Sequence, residues 1–325
     1  MSGNPSIGAV LIGRNEGQRL IRSLASVAGI RRVVYVDSGS TDGSVAAARA
    51  AGVEVVELDL ATPFTAARAR DAGVARLRAD GLPDMIQFID GDCELHPGWI
   101  TAARGAFERD ESLGVVTGWR SEQFPEASVY NAICDTEWHR PAGPIRTCGG
   151  DMMVRAAAYE QVGGFNPRVI AAEDDDFCLR VGQAGWGLLR LPLPMTRHDA
   201  AMTSFAQWWR RAVRAGHGYA QVGALHPGHF RRERARVLAW GAALPLAMLL
   251  GIVVLGGWSL ALGLALYALS WLRSIRGLRR EGLGRSDAAR QAAFLTLSKF
   301  PNLQGMLTYY WRALRDREMR IIEYK

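Results

Sequence analysis

Lysine is almost missing from this 325-residue chain: 37 of its 39 basic side chains are arginine. GC-rich coding alone produces such a bias. Cysteine is scarce as well. The four present, Cys93, Cys134, Cys148 and Cys178, show no CxxC spacing, which argues against a zinc site or a disulfide framework and for a reducing compartment. No repeat period is visible, so solenoids and propellers are set aside. The 13 prolines and 36 glycines are ordinary for this length and exclude collagen-like and low-complexity readings. No signal-peptide pattern is present either. No basic segment precedes the apolar run Ile7–Ile12, and Arg14 and Asn15 soon end it. The N-terminal domain is therefore expected in the cytoplasm.

What is there is a chain that is 49% hydrophobic and 22% charged, too apolar for disorder and long enough for one large core with an appendage. The net charge of +7 conceals a division. Residues 1–196 carry 19 Arg and Lys against 25 Asp and Glu, whereas residues 197–325 carry 20 against 7. A uniformly basic chain would point to nucleic acid. An acidic globular part followed by a basic, apolar tail points instead to an enzyme moored on an anionic membrane face, with no nucleic-acid partner.

From Val237 to Leu272 no side chain is charged. As one helix those residues would reach roughly 54 Å against a hydrocarbon core of about 30 Å. Two antiparallel helices of roughly 27 Å each, turning at Gly256–Gly257, fit better. Arg231, Arg232, Arg234 and Arg236 precede the run, and Arg273, Arg276, Arg279 and Arg280 follow it. The positive-inside rule places both flanks in the cytoplasm, so a hairpin is expected. Pro245, inside the first half, leaves a kinked re-entrant hairpin as a rival, and a buried soluble helix pair is the third possibility. Two further segments read as amphipathic. In Phe205–Gln221 the residues Phe205, Trp209, Ala212, Val213, Gly216 and Ala220 share one face, and Arg210, Arg214, His217 and Gln221 the other. After Pro301, Leu303, Met306, Leu307, Tyr310 and Leu314 recur at helical spacing. Arg-rich helices with Trp and Tyr suit a headgroup layer; the alternative for the Trp-bearing helix is packing against the catalytic domain.

Through residue 196, short β-rich runs alternate with helical stretches. Strands are expected at Ser6–Ile12, Arg32–Asp37, Val53–Leu58, Met85–Asp90, Leu113–Trp119, Gly150–Val154 and Gly187–Leu191. Helices are expected near Gly17–Ala28, Asp42–Ala51, Thr65–Ala79, Pro97–Arg109 and Asp175–Ala184. This alternation predicts an α/β fold, a mostly parallel sheet with helices on both faces. Its ligand would lie at the carboxyl ends of the strands.

Three acidic constellations follow such strand ends or open a helix. Asp37 closes Val33–Asp37 before a Gly/Ser-rich turn in which Asp42 can cap the next helix; Asp37 could accept hydrogen bonds from a base or ribose. Asp90 and Asp92 stand at i and i+2 straight after Met85–Asp90. Two carboxylates so close repel unless a cation lies between them, and hard oxygen ligands suit Mg2+ or Mn2+ bridging a diphosphate. Glu173, Asp174, Asp175 and Asp176 open an amphipathic helix, where acids favour the macrodipole. Their density exceeds what a cap needs, so one could act as a general base. Upstream, Gly149-Gly150-Asp151 begins a strand.

In this order the three constellations resemble family 2 glycosyltransferases with the GT-A fold, over about residues 6–200. The resemblance implies that Asp37 contacts the nucleoside, that Arg70 lies beside the nucleotide, and that Asp90 and Asp92 form the DxD motif with Asp92 the firmer metal ligand. It implies Asp174 as the catalytic base and His198 as a residue that completes the metal site. Gly149, Gly150, Asp151, Glu173 and Asp176 would support the acceptor side. Asp71 departs from the family's more usual Asn. Gln207-Trp-Trp-Arg210-Arg211 approaches the QxxRW motif of processive synthases, but Arg211 replaces its Trp, and processive synthesis is not expected. The implied organisation is a nucleotide-sugar-binding catalytic domain over 1–200, an interfacial helix and basic linker over 201–236, a transmembrane or re-entrant hairpin over 237–272 and a basic amphipathic tail over 273–325. The implied activity is inverting transfer from a nucleotide-sugar donor to a lipid-linked or cell-envelope glycan acceptor at the bacterial cytoplasmic membrane, with polyprenyl-phosphate sugar synthesis as the alternative. Two other classes compete. Phe88-Ile89-Asp90-Gly91-Asp92 resembles the nucleophile motif of haloacid-dehalogenase phosphatases, yet Glu94 stands where that motif wants Thr or Val. A non-catalytic membrane scaffold would not need acids kept at all three positions.

Overall fold

The structure, a computed structural model, describes residues 5–323. Among the described residues nine strands form one mixed sheet: β1 Ile7–Gly13, β2 Arg32–Asp37, β3 Glu54–Glu57, β4 Met85–Asp90, β5 Cys93–Leu95, β6 Leu113–Glu122, β7 Gly143–Pro144, β8 Met152–Arg155 and β9 Gly187–His198. The order is β3-β2-β1-β4-β8-β6-β9-β5, with β7 beside β9. The four strands β3, β2, β1 and β4 are parallel to one another. β8 runs antiparallel to both neighbours, and β6 and β9 are parallel.

Side chains alternate across each strand, so one strand feeds two cores. Val10, Ile12, Val34, Val36, Ile86 and Phe88 pack on one face of the sheet. Helices α3 (Ala66–Ala79), α6 (Ala156–Gln161) and α7 (Glu173–Gln183) contribute to that layer. Ala9, Leu11, Tyr35, Met85 and Ile89 pack on the other face with residues of α1 (Gln18–Ser26), α2 (Ser44–Ala50) and α4 (Trp99–Arg109). Helix α3 approaches β1 so closely that a Cβ on Gly73 would stand 2.3 Å from Val10. The expected α/β fold, with a mostly parallel sheet covered on both faces, is therefore present.

Two strands run further than expected. β6 continues from Trp119 to Glu122, and β9 continues from Leu191 to His198 through Pro192 and Pro194. Proline cannot donate to a ladder, which is why a strand reading stops before it. Register shifts at Thr117/Trp119 and Trp119/Arg120 absorb the defect, as β-bulges do. Helix α5 (Val129–Trp138) was not anticipated.

The chain divides into two compact units. One holds residues 1–125 and 134–201, the other residues 126–133 and 202–325. The second is helical: α8 Phe205–Leu225, α9 Arg231–Val237, a π-helical stretch Leu238–Ala243, α10 Leu244–Leu255, α11 Trp258–Arg280, α12 Arg285–Leu297 and α13 Lys299–Leu314. The turn between α10 and α11 falls at Gly256–Gly257, as expected. The two arms are longer than the uncharged run alone: Arg231–Leu255 has 25 residues and Trp258–Arg280 has 23, about 37 and 35 Å of helix. Each is long and apolar enough to cross a membrane. Pro245 does not break the first arm. It follows the π-helical stretch Leu238–Ala243, and such wider turns accompany prolines and kinks inside helices. Val253 is 89% exposed, Val254 83% and Trp258 75%, so the apolar surface of the hairpin is not spent on an internal core.

Helix α8 corrects one expectation. It packs on α13 through bare backbone: a Cβ on Gly305 would stand 1.9 Å from the Val213 carbonyl, and one on Gly216 2.0 Å from that of Asn302. His217 and Gln221, assigned to a polar face, are therefore buried. Burial pulls the His217 imidazole down to about 4, with Arg312 adding repulsion. On α13, Met306 points inward, while Leu307, Tyr310 and Leu314 stay exposed.

Candidate active site

The site is built where β2, β4, β6 and β9 end and where α7 begins. At the end of β2, Asp37 is buried and its carboxylate is fully engaged. Oδ1 accepts from Tyr35 Oη at 2.8 Å and Ser40 Oγ at 2.6 Å, and Oδ2 from the amides of Gly39 at 2.9 Å and Ser40 at 2.7 Å. The side chain thus shapes the turn after β2. Asn15, in the turn after β1, accepts from the Thr41 amide at 2.7 Å and donates its own amide to Ser40 at 2.8 Å. The two turns are laced together.

Arg70 crosses from α3 to the acids. Its guanidinium donates to Asp90 at 2.9 Å and to Glu173 at 2.7 Å, and lies 5.4 Å over the Phe165 ring. Burial alone would make this cation less stable, but Asp90, Glu173 and Asp174 outweigh it and raise its pKa. The path exists because residue 150 is glycine: a Cβ there would stand 2.0 Å from Arg70 Nη2. Asp151 is buried and holds three elements at once. It accepts from the Asp90 amide at 2.9 Å and from Thr196 Oγ1 at 2.9 Å, and pairs with Arg120 at 2.6 Å. Arg120 also lies 3.7 Å from Asp90.

Helix α7 is entered through Ala172, a non-glycine residue at φ +58°. That left-handed step turns the chain sharply, so all four acids fall in the first helical turn. Their environments differ. Glu173 is buried on Arg70. Asp176 pairs with Arg180 at 2.9 Å, and Arg180 reaches the carbonyls of Val162 and Gly164 at 2.8 Å. Asp174 is half-buried and accepts the Asp175 amide at 2.9 Å. Burial pushes the Asp174 carboxyl well above the usual range, and Glu173 and Asp175 push the same way, against Arg70.

The remaining pair arises from sheet register. β5 runs antiparallel to β9 with Cys93 opposite His198. This sets Asp92, also buried, against the histidine, with Oδ2 3.2 Å from His198 Nε2. Cys93 Sγ is 3.7 Å from Asp92 Oδ1, and the three residues are close enough to share one ion. Burial, reinforced by Asp151, raises the Cys93 thiol well above its ordinary value, and a soft sulfur is a poor match for Mg2+ or Mn2+ beside harder oxygen and nitrogen donors. One carboxylate oxygen and one imidazole nitrogen remain, a donor set that fits Mn2+ or Mg2+ with positions left for phosphate and water.

Residues 9–159 match the model of glycosyl transferase family 2. That stretch is similar to a family 2 glycosyltransferase domain. The pre-mycofactocin glycosyltransferase of Mycobacterium tuberculosis is 26% identical over 230 residues, 66% of this chain and 47% of that protein. A TPR repeat-containing protein of Synechococcus elongatus is 26% identical over 189 residues, 58% of this chain and 40% of its own. The chain thus spans about half the length, or less, of these curated relatives. Among solved structures, the mannosyltransferase PcManGT of Pyrobaculum calidifontis, in complex with GDP-Man and Mn2+, aligns over 98% of this chain and 89% of its own, with TM-score 0.54 and 17% identity. TarS of S. aureus aligns over 92% and 55%, with TM-score 0.51 and 15% identity. At such identities the likeness is one of fold, and the fold is GT-A.

The matched stretch supplies Asp37, Arg70, Asp90, Asp92, Gly149, Gly150 and Asp151. Glu173, Asp174, Asp176 and His198 come from beyond the matched stretch. Asp90, Arg70 and Glu173 are brought into direct contact, and so are Asp92 and His198. Asp90 is directed at Arg70 and Arg120. Asp71, the departure from the family pattern, accepts from Tyr159 Oη and from the Phe165 amide at 3.0 Å. It braces the turn at Gly164, whose φ of +75° requires glycine. Two contributors were not anticipated, Arg120 and Glu122. Both lie past the expected end of β6, and the only signal for them was a charged alternation, Arg120-Ser121-Glu122, continuing an apolar strand.

Proposed function

We propose that this chain is a metal-dependent, inverting glycosyltransferase that takes a sugar from a nucleotide-sugar donor to a lipid-linked or envelope-glycan acceptor at the cytoplasmic face of a bacterial membrane. The observation that carries the reading is the pairing of Asp92 with His198, in the same unit as a desolvated Asp174 at a helix start. The mannosyltransferase PcManGT, which shares the fold, was solved with GDP-Man and Mn2+, and that supports a divalent cation here. Asp37 and the laced turns after β1 and β2 would form the nucleoside side. Asp92 and His198 would hold Mg2+ or Mn2+, which when bound supplies positive charge for the departing diphosphate. Arg70 keeps Asp90 and Glu173 in place and carries the charge that lets three acids gather there.

Asp174 would take the proton of the attacking hydroxyl, in line with and opposite to the leaving diphosphate. Its raised pKa supports that role, because a base is most effective with a pKa near the working pH. A hydroxyl acceptor needs such a base, whereas a polyprenyl phosphate is already an anionic nucleophile and needs little help from one. The exposed apolar hairpin between arginine clusters supports membrane anchoring. The test is a screen of nucleotide sugars for donor hydrolysis by the purified full chain, with Mn2+, Mg2+ or EDTA. One donor should turn over with metal and stop with EDTA. Turnover that ignores EDTA would end the metal reading, and no turnover of any donor would return the scaffold reading.

A further inference from the structure

Behind His198, on the side away from Asp92, lies a second carboxylate. Glu122 ends β6, opposite His198 in the sheet register, and its side chain is fully buried. Its Oε2 stands 3.6 Å from His198 Nδ1. That nitrogen is buried and makes no hydrogen bond among the described residues. Glu122 is itself fixed. Its carboxylate accepts the Ala200 amide at 3.1 Å and the Phe124 amide at 3.2 Å, while its own amide donates to Asp135 at 2.8 Å. The Trp138 ring meets the imidazole edge-on, 4.6 Å between centroids, and closes one side of the ring.

We propose that Glu122 is a positioning residue for the cation site. Its carboxylate holds the Nδ1–H tautomer of His198, so that the Nε2 lone pair faces the Asp92 oxygen and any ion between them. Three features lead there. A buried imidazole needs a defined tautomer to act as a ligand, and the hydrogen bond at its other nitrogen sets which one. Glu122 faces the one ring nitrogen that nothing else satisfies. A carboxylate behind a histidine also increases its basicity toward a metal. The 3.6 Å separation is slightly longer than a hydrogen bond, and a small rotation of the imidazole toward Glu122 would close it. The proposal rests on the metal reading of the Asp92–His198 pair.

The experiment titrates Mn2+ alone into the full-length wild type, Glu122→Gln, His198→Ala and the double variant, following free Mn2+ by electron paramagnetic resonance. Glu122→Gln keeps the volume and an acceptor for the backbone amides, and should weaken Mn2+ binding by roughly 10–100-fold, the range for lost outer-shell partners. In the His198→Ala background it should cause no further loss, because its effect passes through that ring. Long-range 15N NMR of the histidines should show the Nδ1–H form for His198 in the wild type and a mixture in Glu122→Gln. If Glu122→Gln does not fold, Glu122→Asp takes its place and should bind Mn2+ with intermediate affinity. Wild-type binding of Mn2+ with an unchanged affinity in Glu122→Gln overturns this proposal alone. A loss that adds in full to that of His198→Ala does the same, since it marks Glu122 as scaffolding only. A wild type that binds no Mn2+ overturns the metal reading itself.

Discussion

Proton abstraction from a hydroxyl asks for a carboxylate that holds its proton more tightly than an exposed aspartate does, and Asp174 meets that requirement by desolvation first and by its acidic neighbours second. Asp174→Asn keeps the shape and removes the basicity. Its kcat should fall by at least ~100-fold, the lower end of general-base contributions, with donor affinity unchanged. Asp175→Asn is the control, and a dead Asp175 variant beside an active Asp174 variant would move the assignment by one residue. The pH dependence follows from the same shift. The acidic limb of kcat should lie above the ordinary aspartate value of 3.8 and vanish in the Asn variant. For stability the sign is opposite: a proton held more tightly in the folded state stabilises it fully below the ordinary value and is lost as pH rises through the raised one. Asp174→Asn should therefore flatten the fall in thermal stability over that window. In the proposed reaction Asp92 serves the other end. Asp92→Ala removes the oxygen of the pair and should abolish Mn2+-dependent binding of a nucleoside diphosphate in calorimetry, leaving the affinity seen with EDTA.

At the scale of elements, the α8–α13 pair shows what close backbone contact demands. Gly305→Ala places a methyl group against the Val213 carbonyl, where no flexible side chain can give way. It should cost about 1–3 kcal/mol, as overpacking does, and lower the melting temperature of the detergent-solubilised protein. Gly277→Ala, in the last turn of α11 with nothing near its Cβ, should be neutral or stabilising. That contact was invisible in the sequence because amphipathic spacing marks a face without naming what covers it; hence the misplacement of His217. The strands that end in Asp37 and Asp90 were legible, since apolar β-branched runs stop abruptly at acids there. The ends of β6 and β9 were not, because Pro192 and Pro194 hide a strand that survives only through bulges. His198 was accordingly reachable by resemblance alone, and Glu122 was not reachable at all. The hairpin was legible down to its turn, because neither a long uncharged run nor a Gly-Gly pair depends on tertiary context.

For the whole molecule, the division of charge and the exposed hairpin lead to the same test. Residues 197–325 carry the excess of arginine, and two helices there are long and apolar enough to cross a membrane. Electrostatic attachment alone would be worth about 1 kcal/mol per arginine near an anionic surface and would fade with salt, which shortens the reach of each charge to a few ångströms at 1 M. Insertion of two helices would not fade, because the stabilisation comes from apolar surface removed from water. Membranes carrying the full chain, washed with 1 M salt and then with alkaline carbonate, should therefore retain it in the pellet. Release by salt would assign attachment to the arginines, and release by carbonate alone would leave an interfacial, non-inserted hairpin. Arginines on both flanks also fix direction. A reporter fused after Lys325 should be active only in its cytoplasmic form, and a tag at Gly256–Gly257 should be accessible from the opposite side if the arms cross fully. A periplasmic signal after Lys325 would leave a single span and overturn the hairpin. A cytoplasmic signal at both positions would favour a re-entrant loop that turns back within the bilayer, and Pro245 with its π-helical stretch would then be the place where the arm bends.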